Sequence, residues 1–215
     1  MLAHRFTYFI AAFSLTVFLS LNSKAQQENR FKGGIVGGLT TAQIHGDGYA
    51  GFNKPGWTLG VFLENKLTDK STFLIELDYV TKGSFDPPNH QIGKYNWRKI
   101  HLGYAEVPVM IKFKLKDFRI NLGMAAGFLA REKQSDANSL LTGQDRIIGP
   151  FKRYEISYLF GAEYHFSDKW AVAWRNSLSL LPVTNEVYFE RTILGFFGGS
   201  YNQYMALTLR YKLGN

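Results

Sequence analysis

Apolar side chains recur at every second position through most of this chain, and a period of two admits strands while excluding helices. Trp57, Leu59, Val61 and Leu63 alternate with Thr58, Gly60, Phe62 and Glu64. Phe73, Ile75, Leu77 and Tyr79 alternate with Thr72, Leu74, Glu76 and Asp78. The pattern returns in Phe118, Ile120, Leu122, Met124, Ala126 and Phe128, on the even positions from Tyr154 to Phe166, in Trp170, Val172 and Trp174, and in Met205, Leu207, Leu209 and Tyr211. With the glycine-rich stretch 31–44 and the stretch 98–114, the sequence predicts eight strands of roughly ten to sixteen residues. In 98–114 the apolar positions change parity, from Ile100, Leu102 and Tyr104 to Val107, Val109, Ile111 and Phe113. One extra residue between Tyr104 and Val107, beside Pro108, which has no N–H to give a ladder, predicts a β-bulge there.

Connections then fix the topology. By these boundaries they span 45–55, 67–71, 82–98, 115–117, 132–152, 167–169 and 183–200, so long and short alternate throughout. In an up-and-down antiparallel sheet every long loop falls at one end, and every tight turn falls at the other with both termini. A barrel with short turns on one side of a membrane and long loops on the other is built this way.

Alternation by itself leaves open whether the apolar face points to a core or to lipid, since a soluble lipocalin-like barrel carries the same stripe. The opposite face decides: it carries Glu64, Glu76, Asp78, Lys112, Arg119, Glu155, Glu163, Arg175 and Arg210 among Gly60, Gly123, Ala125, Gly127, Gly161, Ala171 and Ala173. Small residues and charges of both signs suit the interior of an eight-stranded barrel, which is just wide enough for side chains to fill. On the apolar face, Phe73, Phe113, Phe118, Phe166, Trp170 and Tyr211 gather at the turn end, and Trp57, Tyr79, Phe128 and Tyr154 at the loop end. Rings bounding an aliphatic band match a bilayer's two interfaces. The fold expected is all-β: an eight-stranded antiparallel up-and-down transmembrane β-barrel with short periplasmic turns and long extracellular loops.

The first residues supply an address. His4 and Arg5 precede an uncharged run over 6–21, and Ser23-Lys24-Ala25 offers small residues before a cut, which is the layout of a secretory signal peptide. An uncleaved membrane anchor competes with this reading, but the run is short for one. Residues 1–25 are therefore expected to be the signal peptide and 26–215 the barrel domain, placed in the outer membrane of a Gram-negative bacterium after Sec export and cleavage near Ala25. The formal net charge of +8 falls to +6 once Arg5 and Lys24 are removed. Export makes nucleic acid an unsuitable partner. The absence of cysteine excludes disulfides, thiolate metal sites and cysteine nucleophiles.

The residues also resemble a family. Tyr79-Val80-Thr81-Lys82-Gly83 closing a strand, the run from Tyr104-Ala105-Glu106-Val107-Pro108 to Phe113, and the stretch 122–129 resemble the PorT-like outer-membrane β-barrels of the Bacteroidetes. The resemblance spans nearly the whole mature chain and implies the barrel fold, with a link in some members to secretion and gliding machinery. It brings no catalytic residue with it, and the chain lacks a terminal Phe.

Three kinds of chemistry remain. Glu64, Glu76, Asp78, Lys112, Arg119, Glu155, Glu163, Arg175 and Arg210 are read as a lumen ion network, because charges taken out of water must be paired; Glu76 with Lys112 is the pair favoured by strand adjacency. His165-Phe166-Ser167 reproduces a His-x-Ser spacing that a lipid-A-modifying enzyme would use, but it falls at a tight turn. His101 is read as pointing inward near the loop end, and no His pair has metal-ligand spacing, so neither metal nor cofactor is expected. Gly33-Gly34, Gly37-Gly38 and Gly198-Gly199 lack the Lys-Ser/Thr and helix of a phosphate loop. Phe85, Tyr95, Trp97, Tyr188, Phe189, Phe196 and Phe197 crowd two long loops and form a candidate binding surface. The function expected is a non-enzymatic structural or secretion-associated surface role, with outer-membrane lipid and envelope proteins as partners; a lipid-A-modifying enzyme and a small-solute channel are the alternatives.

Overall fold

The alternating stretches pair edge to edge until no edge is left. The computed structural model describes residues 31–49, 51–138, 140–141, 147–185 and 199–213. Its strands are β1 (Phe31–His45), β2 (Lys54–Lys66), β3 (Ser71–Asp86), β4 (Arg98–Leu115), β5 (Phe118–Asp136), β6 (Leu140–Leu141), β7 (Tyr154–His165), β8 (Trp170–Ser179) and β9 (Tyr201–Lys212). Sequential strands pair up and down, β9 returns to β1, and β4 to β5 completes the ring. The two-residue β6 lies against the far end of β5, so the ring has eight long strands. Closure leaves no row of unpaired N–H and C=O groups, the condition for sheet structure in a medium without water.

Facing the outside are the residues of the apolar stripe, Leu59, Leu77, Ile111, Met124, Ile156, Trp174 and Leu207 among them, all exposed. Rings bracket this band: Phe118 contacts Tyr164 at 5.0 Å and Trp170 contacts Tyr211 at 4.6 Å near the turns, while Trp57–Tyr79 at 5.3 Å and Phe128–Tyr154 at 5.6 Å lie toward the loops. Phe118 and Phe128 are ten residues apart on β5, about 33 Å along a strand. At a tilt of about 40° that is about 25 Å of height, the thickness of an outer-membrane apolar band.

Inside, glycine makes room. A Cβ on Gly34 would meet the Phe62 ring at 2.3 Å, and it is on this ring that the Arg210 guanidinium stacks, 4.2 Å from its centre. Larger residues here would displace an aromatic that fills the lumen.

Three sequence expectations are corrected. The β4 strand keeps one parity from end to end: Ile100, Leu102, Tyr104, Glu106, Met110 and Lys112 are all buried, and Val107, Val109, Ile111 and Phe113 all exposed. What changes along β4 is the chemistry of the interior, apolar near the loops and charged near the turns, and a shift of hydrophobic parity mimics a shift of register. A register shift does occur at this height, but on the partner strand: Gly103 opposes Arg131 while Tyr104 opposes Leu129, which leaves Ala130 of β5 as the extra residue. His101 alternates with Ile100 and Leu102, both fully buried, and so faces away from the lumen rather than into it. The β4–β5 hairpin, 18 and 19 residues long, also outruns the expected strand lengths because both strands continue well past the loop-side rings.

Candidate functional site

Even positions of β2, β3, β4 and β9 and odd positions of β5, β7 and β8 converge on the lumen, and the charges there are organised in two tiers. Nearer the turns, the Lys112 ammonium lies between Glu64 and Glu163, 2.6 Å from the latter. Arg210 reaches both Glu76 and Glu163, and Arg175 reaches Glu76 and, at 3.3 Å, Asp78. Arg119 at 3.9 Å and Lys212 at 3.4 Å reach Glu64 from the turn end, both partly exposed. The pair expected between Glu76 and Lys112 does not form: Lys112 stands opposite Thr72 in the β3–β4 ladder, four residues along from Glu76, so each finds its partners across the lumen instead.

At the height of the outer rings, Lys82 is fully buried between Glu106 and Glu155, 2.6 Å from the latter, under the faces of Tyr104 (4.7 Å) and Tyr204 (5.1 Å). The Asn202 amide donates to Glu155 at 2.8 Å and the Tyr204 hydroxyl to Glu106 at 3.3 Å. Lys82 and Glu106 were missed by the sequence reading, which assigned Lys82 to a loop and broke the parity of β4 before Glu106. The signal was present: Leu74, Glu76, Asp78, Val80 and Lys82 share one face of β3. With charges of both signs in contact, the interior carries its own counter-charge, and the desolvation cost of each group is offset by partners held in fixed geometry.

Above this tier the interior turns apolar. Ile147, Ile148 and Phe151, from the long connection after β5, pack with Ala42, Ile44, Val80, Ile100, Leu102 and Val183 into a core that closes the barrel mouth. The side chain of Gln134, 2% exposed, fastens this segment by mimicking a strand neighbour. Its oxygen accepts from Ile147 N at 2.8 Å and Ile148 N at 3.3 Å, and its amide donates to Ile148 O at 3.1 Å. The bulge at Ala130 is what turns Gln134 inward. Lys152 N donates to Val183 O, and Val183 N to Ser200 O, both at 2.7 Å, which ties the cap to the last long loop.

Of the aromatic loop residues, Phe85 and Trp97 meet in a tilted contact with ring centres 6.4 Å apart, Tyr95 is exposed and contacts His90 at 5.3 Å, and Tyr188, Phe189, Phe196 and Phe197 lie outside the described residues. A cavity of about 260 Å³ at the loop ends of β3, β4 and β5 is lined by residues that include Asp86, Lys94, Arg98 and Asp136. His165 and Ser167 are engaged separately: the imidazole meets the Glu163 carboxylate, and the Ser167 hydroxyl accepts from Lys169 N at 3.3 Å and Trp170 N at 3.0 Å to shape its turn. Among the described residues no cluster of three or more His, Asp or Glu is arranged to hold a metal ion.

A family model described as "Outer membrane protein beta-barrel domain" matches residues 11–185. Among solved structures, Ail, the attachment invasion locus protein of Yersinia pestis, crystallised with the heparin analogue sucrose octasulfate, is 11% identical over 86% of this chain and 99% of its own, with a TM-score of 0.47. Neisserial surface protein A is 11% identical over 86% and 98%, with a TM-score of 0.48. The outer membrane protein OprG from Pseudomonas aeruginosa is 9% identical over 86% and 96%, with a TM-score of 0.37. No curated protein matches the chain.

Proposed function

The chain belongs to the outer membrane protein beta-barrel domain family, and from that premise we propose that it is a non-enzymatic surface barrel of a Gram-negative outer membrane, structural or secretion-associated in role. Family and fold indicate the outer membrane; within that setting, residues 1–25 are the export signal cut near Ala25, residues 26–215 the barrel, and the PorT-like barrels of the Bacteroidetes a family that its motifs resemble. The observation that carries the functional reading is the closed interior. Ion pairs fill the lumen and an apolar cap sits on it, so the surfaces left for work are the outer wall and the loops.

Planar-bilayer recording of the purified full chain tests the closed interior: no stable conductance is expected, and a reproducible single-channel step overturns the reading in favour of a solute channel. A deletion strain separates the rest. An altered exported proteome with unchanged lipid A supports a secretion-associated role. Lipid A whose acylation changes in the deletion, and also in His165→Ala with Ser167→Ala, points instead to an enzyme.

A further inference from the structure

The bulge at Ala130 has a second effect, on the outer wall. It turns Arg131 and Lys133 outward, where they oppose Gly103 and His101 of β4 in the ladder, with Lys99 two residues further along. Tyr79, Ala105, Phe128 and Tyr154 stand in one register row at the loop-side edge of the apolar band. The basic positions begin two residues above that row, about 7 Å along the strand. Gly103 keeps contact between the two zones: a Cβ there would strike the Tyr79 hydroxyl at 2.1 Å and would lie 3.4 Å from Arg131 Cβ. The ring at the membrane edge therefore lies directly beside the first arginine above it.

Among the described residues no carboxylate is paired with these cations on the wall: the flanking β3 positions are Gly83 and Phe85, and the alternate β5 residue Glu132 is on the other side of the strand. Lys54, only 2% exposed, adds a further charge; its ammonium donates to Pro55 O at 2.9 Å and makes no ion pair among the described residues. Burial and Lys99 push Lys54 down to about 8. Burial and the surrounding Lys54, Arg131, Lys99 and Lys133 push His101 down to about 4. A crowd of like charges held together without a counter-charge is an anion site in waiting.

Resting on the outer-membrane placement, we infer that Lys99, Arg131 and Lys133 bind the phosphorylated headgroup of a lipid in the leaflet surrounding the loop-side rings, with the buried Lys54 adding positive potential from inside the wall. The chemistry is that of a basic cluster at headgroup depth, where each Lys or Arg strengthens attachment to anionic lipid. A lipid suits this site better than a soluble anion because the cluster continues directly from the lipid-facing band, so headgroup and acyl chains would be held by adjoining surfaces.

The test is native mass spectrometry of the detergent-solubilised full chain, with lipid A bearing its phosphates and with the same lipid dephosphorylated. The phosphorylated form is expected to be retained preferentially, with affinity falling about 5-fold per charge removed and about 30-fold in Arg131→Gln with Lys133→Gln. Lys99→Gln serves as a second variant should the double one fail to fold, and heat-shifted gel migration reports folding in each sample. Equal retention of both lipids, or unchanged retention by a folded variant, overturns the proposal. Displacement of the lipid by millimolar inorganic phosphate also overturns it, in favour of a soluble phosphate ligand. Failure of the wild-type chain to insert into liposomes would instead remove the membrane placement itself.

Discussion

Along the single strand β4 the barrel obeys two opposite rules. From Phe113 to Val107 the apolar residues Val107, Val109, Ile111 and Phe113 face out, and Lys112, Met110 and, just beyond, Glu106 face in; from Tyr104 to Lys99 the apolar residues face in, and His101 and Lys99 face out. The backbone is continuous and its parity unchanged, so the difference is in what surrounds it. Against lipid tails, an apolar exterior costs nothing and the polar groups must find one another inside. Above the rings the exterior meets water, and the strand reverts to the arrangement of a soluble protein with a dry core. The outer aromatic row is where the surrounding medium changes.

The lower region should be the more sensitive to loss of one partner. Glu76→Ala leaves Arg175 and Arg210 without their shared carboxylate, and breaking a buried pair costs about 3–5 kcal/mol; urea unfolding in lipid vesicles should show a large drop in midpoint or failure to refold. Next in size is a contrast on the outer wall. Val109→Lys, at mid-band, should cost about 2–4 kcal/mol, while His101→Val, on the same face of the same strand above the rings, should stay within about 0.5 kcal/mol. Equal costs at the two heights would break the comparison.

The upper region should respond to pH through Asp47. In the loop between β1 and β2, burial pushes this carboxyl up to about 6 against partial relief from Ser84 and Tyr49 N. Its folded pKa lies above its unfolded value, so the native state binds the proton more tightly. Stability of the loop end is then greatest below about pH 4 and falls as pH rises toward 6, with the penalty complete above that. Asp47→Asn should flatten this slope and recover up to about 2–3 kcal/mol at neutral pH, read by amide exchange in the loop-end segments. Smallest is Gln134→Ala, which releases the backbone groups of Ile147 and Ile148 at about 1–2 kcal/mol; limited proteolysis should then cut the 142–153 connection while the barrel resists. Cleavage that spreads at once through the strands would show that cap and barrel are one cooperative unit.

The lower region is the part the sequence displays most openly, because lipid enforces strict alternation over whole strands and the charges stand out against glycine and alanine. Which charge meets which was not legible: contacts cross the lumen between strands such as β3 and β8, and adjacency along the chain misled the pairing of Glu76. The upper region was read poorly for a physical reason. An apolar residue at an inward position looks identical to one at an outward position, so Ile100, Leu102 and Tyr104 imitated a register shift and pulled the bulge from β5 onto β4. Ile147-Ile148-Gly149-Pro150-Phe151, an apolar cluster inside a polar connection, was the available hint of the cap.

The most direct test of a boundary at the outer aromatic row uses the absence of native cysteine. Single substitutions Val107→Cys, Val109→Cys, His101→Cys and Lys133→Cys, treated in intact cells with a membrane-impermeant maleimide, place labels on one wall at successive heights. Labelling at 101 and 133 with protection at 107 and 109 is the result expected; comparable labelling at 109 and 133 would contradict the account.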